Sequence, residues 1–176
     1  GGYYVVGKQH EGDHFSTIWY LSAGYELLEK ENNLKSICTL ALSGNNNWLY
    51  AFGYDTRRGY SYKVDRNDKS LLYGQEFFYI HLPDQCDGAE VTAVCDDYGR
   101  TYLATASGIQ VCDYNGRSEA ILPLPGNAKP VSIAWGEEAM NVLYILCDNG
   151  NIYKRELNTK GTSLNAPMPI IRVGAG

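Results

Sequence analysis

Three segments of this chain can be laid over one another, and their spacing restricts the fold more than any other feature. Residues 48–52 (WLYAF), 101–105 (TYLAT) and 142–146 (VLYIL) each follow an apolar run and a polar or glycine-containing turn. The preceding runs are residues 39–43, 92–96 and 131–135, and each copy ends in a strand-like segment of the type YSYKVD, IQVCDYNG or NIYKREL. The central tyrosines, Tyr50, Tyr102 and Tyr144, stand 52 and 42 residues apart. A repeat of roughly 40 to 50 residues, made of short β-rich runs between turns, is the pattern of four-stranded propeller blades.

The clearest copy is EVTAVCDDYGRTYLATASGIQVCDYNG, residues 90–116. Short runs bounded by Gly, Asn and Asp are hairpin grammar. With this copy as template, the second blade covers about residues 35–82, the third 89–124 and the fourth 130–157, and residues 169–173 offer a further strand. Residues 3–8, 15–22 and 25–30 then supply the second, third and fourth strands of a first blade that lacks its innermost strand. Residues 25–32 (YELLEKEN) have some helical periodicity, but their place in the repeat predicts a strand. The expected architecture is all-β: about three and a half blades of four antiparallel strands, part of a six-bladed type of ring. Residues 1–176 form one N-terminally incomplete domain. Open strand edges predict that a second copy or a companion fragment completes the ring, or that the tail covers an edge.

Composition agrees with this and excludes some functions. Fifteen Tyr and 19 Gly against six Pro suit many short strands and turns. A formal net charge of −5 argues against nucleic acid as a partner. No stretch resembles a signal peptide or an 18-residue apolar span, so a soluble chain without a membrane partner is expected, with its compartment undefined. Five cysteines without a CxxC pair suggest neither a zinc knuckle nor a full disulfide framework, and Cys95, Cys112 and Cys147 read as small buried apolar residues.

Antiparallel blades send successive loops to alternate faces. One face is expected to gather residues 9–14, 53–59, 106–108 and 147–149 with the blade-to-blade segments 35–38, 87–90 and 129. A site is expected there. His10, Glu11, Asp13 and His14 are possible ligands, and His14 is a candidate substrate contact, the alternative being an ordinary polar loop. Arg57 and Arg58 could pair with an anionic substrate such as a sugar acid, or form a solvated turn beside Asp55. Asp148 occupies the matching loop of the last blade. No GxSxG, P-loop or dinucleotide-binding glycine pattern is present.

The chain resembles the SMP-30, gluconolactonase and luciferin-regenerating enzyme family of six-bladed propellers, specifically its C-terminal half. The resemblance is carried by residues 38–65, by residues 89–116 with their closing ASGIQVCDYNGR, and by Gly150-Asn151-Ile152-Tyr153-Lys154 followed by Thr159-Lys160-Gly161. It implies a hydrolase acting on a lactone or small ester, with one axial divalent cation, calcium or zinc, polarising the carbonyl. The family's cation is held by a Glu, an Asn and an Asp. The Glu would precede Gly1, the Asn position falls on Cys38, and the Asp position falls on Glu90, the implied metal ligand. A sulfur at Cys38 suits zinc better than calcium. The alternative is a non-catalytic propeller that binds carbohydrate or protein and has lost the metal site. Fold analogy does not decide between them.

Overall fold

The computed structural model describes residues 2–7, 15–53, 56–84, 86 and 91–162. Among these, fourteen strands form four antiparallel sheets, each a meander of sequence-adjacent strands. The first sheet holds β1 (Tyr3–Gly7), β2 (Phe15–Leu21) and β3 (Leu27–Lys35). The second holds β4 (Ile37–Leu42), β5 (Trp48–Gly53), β6 (Arg58–Val64) and β7 (Leu71–Tyr79). The third holds β8 (Thr92–Cys95), β9 (Thr101–Thr105), β10 (Gly108–Cys112) and β11 (Ser118–Leu122), and the fourth β12 (Pro130–Gly136), β13 (Val142–Cys147) and β14 (Ile152–Glu156). The only helical turn among the described residues is a 3-10 turn at Pro125–Asn127. The propeller architecture expected from the repeat is present, and the segment YELLEKEN is strand from Leu27 onward. The proposed strand at 169–173 lies outside the described residues.

Each core cluster lies between two neighbouring sheets. Ile18, Ile37, Leu49, Ala51 and Tyr62 join the first to the second. Phe52, Phe78, Ile80, Leu103 and Cys112 join the second to the third, and Tyr102, Ala104, Ile109, Leu143 and Ile145 join the third to the fourth. This explains why WLYAF and TYLAT are nearly continuous apolar runs. A second strand is covered on both faces, so Leu103 points into one cluster while Tyr102 and Ala104 point into the other. Burying each large apolar side chain contributes about 1.5–3 kcal/mol.

The innermost strands touch across neighbouring sheets, β4 against β8 and β8 against β12. β1 packs against β4 as β9 packs against β12, so β1 holds a second-strand place, with no strand inside it among the described residues. Gln110, fully buried on β10, ties the second sheet to the third. Its Nε2 donates to the Tyr79 carbonyl at 2.8 Å, and its Oε1 accepts from the His81 backbone N–H at 2.8 Å. A buried amide with both ends satisfied fixes the relative position of the two sheets.

Beyond β14 the chain returns to the third sheet. Gly161 forms an antiparallel bridge with Asp96, and the Asp97 N–H donates to the Lys160 carbonyl at 2.9 Å. The Gly161 N–H donates to Met140 at 2.7 Å. Only glycine fits at 161, because a Cβ there would stand 1.9 Å from Cγ of Trp135.

Candidate functional site

The three innermost strands begin alike. Tyr50, Tyr102 and Tyr144 pair with Ala41, Val94 and Ala134, so Cys38, Val91 and Val131 occupy equivalent positions three residues earlier. In β4 the ladder passes from Ile37 directly to Thr39, and in β12 from Pro130 directly to Ser132. Cys38 and Val131 are thus the extra residues of two matching bulges, a device that re-aims a side chain at the end of a strand. Both side chains are exposed, whereas Val91 is buried in the core between the second and third sheets. The bulge turns Cys38 outward, where its thiol donates to the Phe52 carbonyl at 3.6 Å. The next residues, Thr39, Thr92 and Ser132, carry hydroxyls, and the buried Thr92 Oγ1 has no hydrogen-bond partner among the described residues.

These positions bear on the implied axial cation. Of the implied ligands only Cys38 is described, and its sulfur does not suit calcium, which takes hard oxygen ligands, while the equivalent Val91 and Val131 carry no donor. No group of three or more His, Cys, Asp or Glu that could hold a metal occurs among the described residues. Glu90 lies outside them, as do His10, Glu11, Asp13, His14 and Asp55.

The strand order sends the β5–β6 and β13–β14 loops to one face, but Arg57, Arg58 and Asp148 are held in different ways. The Arg57 guanidinium donates to the carbonyls of Leu82 at 2.7 Å and Pro83 at 3.0 Å, fastening the segment that leaves β7. Arg58 pairs across the sheet with Tyr79, and its guanidinium stands 5.5 Å from the centre of that ring. Its ionic partner among the described residues is Glu76, at 3.6 Å, with both side chains more than half exposed. The Asp148 carboxylate accepts from the Lys129 N–H at 3.1 Å while its own N–H donates to the Lys129 carbonyl at 2.9 Å, closing the loop onto the segment before β12.

Among the described residues, the charged group with the most hydrogen bonds stands at the end of β8. Asp96 is fully buried and accepts from the Tyr98 and Arg100 N–H groups at 3.0 and 2.9 Å and from Arg100 Nε at 2.7 Å. It also accepts from the Tyr102 hydroxyl at 3.2 Å and Thr159 Oγ1 at 3.0 Å. Burial, and then the adjacent Asp96 charge, pushes the Tyr102 hydroxyl well above the usual tyrosine range. Desolvation likewise pushes Cys95 and Tyr50 each up to about 12, so neither is poised to ionise near neutrality. These groups brace the fold.

The region described as SMP-30/gluconolactonase/LRE-like matches residues 2–148. Among solved structures, a luciferin-regenerating enzyme is similar over 85% of this chain and 54% of its own, at 19% identity and a TM-score of 0.70. A gluconolactonase from Xanthomonas campestris is similar over 83% of this chain and 46% of its own, at 19% identity and a TM-score of 0.63. The calcium-binding protein regucalcin from Agrobacterium tumefaciens is similar over 84% and 54%, at 14% identity and a TM-score of 0.66. No curated relative matches the chain. At these identities the likeness shows the shared fold, and the chain spans about half the length of the solved structures it matches.

Proposed function

Because this chain belongs to the SMP-30/gluconolactonase/LRE-like family, we propose that it is the propeller portion of a gluconolactonase-like hydrolase acting on a lactone or small ester. The observation that carries this reading is the family match, which runs from the first sheet into the fourth and spans all three innermost strands. Structural likeness to a gluconolactonase supports it. The ligand through which a cation would enter is Glu90, and Arg57, His14 and Asp148 are the residues proposed to meet the substrate, whereas the pairing of Arg58 with Tyr79 turns it toward the outer seam. Since the sulfur of Cys38 does not fit calcium, no step of the reaction is derived through a cation.

One observation favours a second reading, a binding propeller without catalysis. The matching bulges at Cys38 and Val131 aim a thiol and a methyl-bearing side chain outward, and at Cys38 the resemblance implies an Asn oxygen. Acid release from a panel of sugar lactones separates the two readings. It should be measured with calcium, with zinc and with chelator, on the unaltered chain and on Cys38→Asn, which replaces sulfur with an amide oxygen. Turnover with any of these supports the hydrolase. Spontaneous hydrolysis throughout, with lactones or sugar acids nonetheless binding, supports the binding propeller.

A further inference from the structure

Away from the inner strands, a cleft of about 400 Å³ opens on the outer seam between the second and third sheets. One wall is the outermost strand β7 and the segment after it, with Glu76, Tyr79 and His81; Arg58 stands beside them, and the other wall is the β10–β11 turn with Arg117 and Ser118. The turn is seated closely. Gly116 has φ +78, and a Cβ at that position would stand 2.5 Å from the Phe77 carbonyl oxygen, so a side chain there would push the walls apart.

The chemistry of the walls is uneven. In a chain of net charge −5, this cleft gathers two guanidinium groups and an imidazole against a single carboxylate, Glu76. Arg58 is held over the Tyr79 ring, its contact with Glu76 is long and solvent-exposed, and Arg117 makes no side-chain hydrogen bond or ion pair among the described residues. Exposed pairs of this kind contribute little and exchange readily for a better acceptor. Tyr79 and His81 meet edge to face at 5.2 Å, giving an aromatic surface beside the charges.

We propose that this cleft is a binding site for a sugar acid, distinct from the propeller axis. A carboxylate takes the guanidinium groups of Arg58 and Arg117, which match its planar geometry. The apolar face of the sugar ring lies on Tyr79, and the Ser118 hydroxyl is placed for the ligand's own hydroxyls. Glu76 competes for Arg58 and sets the affinity from the opposite side. The assignment does not rest on the hydrolase reading, because none of its residues belongs to an innermost strand.

Isothermal titration of the intact chain with glucuronate, glucose and inorganic phosphate tests it. Glucuronate binds, glucose does not, and phosphate binds more weakly than glucuronate. Arg58→Ala and Arg117→Ala each weaken glucuronate binding roughly tenfold, while Glu76→Gln tightens it. All three side chains are exposed, so the melting temperature is unchanged. Glucuronate bound equally well by the double arginine variant overturns the site. Phosphate bound as tightly as glucuronate overturns the sugar-acid assignment, as does glucose bound as tightly.

Discussion

The Asp96 carboxylate and the Thr159 hydroxyl lie 3.0 Å apart, although 63 residues separate them. This contact fastens the segment after the last strand to the first turn of the third sheet, beside the Trp135 Nε1 bond to the Cys95 carbonyl at 2.9 Å. Asp96→Ala leaves the Arg100 and Tyr102 donors without their acceptor and leaves Thr159 Oγ1 with Asp97 alone, at 3.1 Å. We expect a loss of about 3 kcal/mol or more, read as a lowered urea midpoint. Thr159→Val should cost less, about 1 kcal/mol, because the other donors to Asp96 remain.

Gly161→Ala tests the same clasp from the other side. The added methyl group would collide with the Trp135 indole. The expected outcome is a destabilised chain whose Trp135 fluorescence shifts to the red as the ring is exposed. An unshifted spectrum and unchanged stability would mean that residues 159–162 do not pack on Trp135.

Alkaline pH should unfold the protein in a defined window. Tyr50 and Cys95 are raised to about 12 by burial, from ordinary values of 10.0 and 9.0. Both stay protonated in the folded chain at pH values where the unfolded chain releases their protons. Their contribution is therefore complete below pH about 9 and is lost as pH rises toward about 12. Melting temperature followed from pH 8 to 12 should fall across this interval, and less steeply in Tyr50→Phe. A flat profile would contradict the burial of these groups.

Cys38 should be the first of the described thiols to react. It is exposed on its bulge, whereas Cys95, Cys112 and Cys147 are buried and burial pushes each of those thiols up. A thiol reagent at neutral pH should label Cys38 rapidly and leave those three protected until the chain unfolds. Loss of the fast phase in Cys38→Ser identifies it.

Much of the architecture was legible because the repeat is periodic. Once TYLAT is recognised as a second strand, WLYAF and VLYIL give the register of the other sheets, and the runs before them fall into a first sheet. The site was less legible. Strand alternation does not reveal a bulge, so the outward turn of Cys38 was hidden. Arg58 sits in the β5–β6 loop region by sequence, but its pairing with Tyr79 carries it to the outer seam. Asp96 reads as one of two turn aspartates, and nothing local marks it as the acceptor for a threonine far along the chain.

The central claim is that this propeller carries gluconolactonase-like chemistry, and the most direct measurement is the rate of acid release from gluconolactone by the purified chain, corrected for spontaneous hydrolysis. The account predicts an enzyme-dependent rate proportional to protein concentration and lowered in Glu90→Ala. A rate equal to the spontaneous one at every protein concentration, with calcium or zinc present, would contradict it.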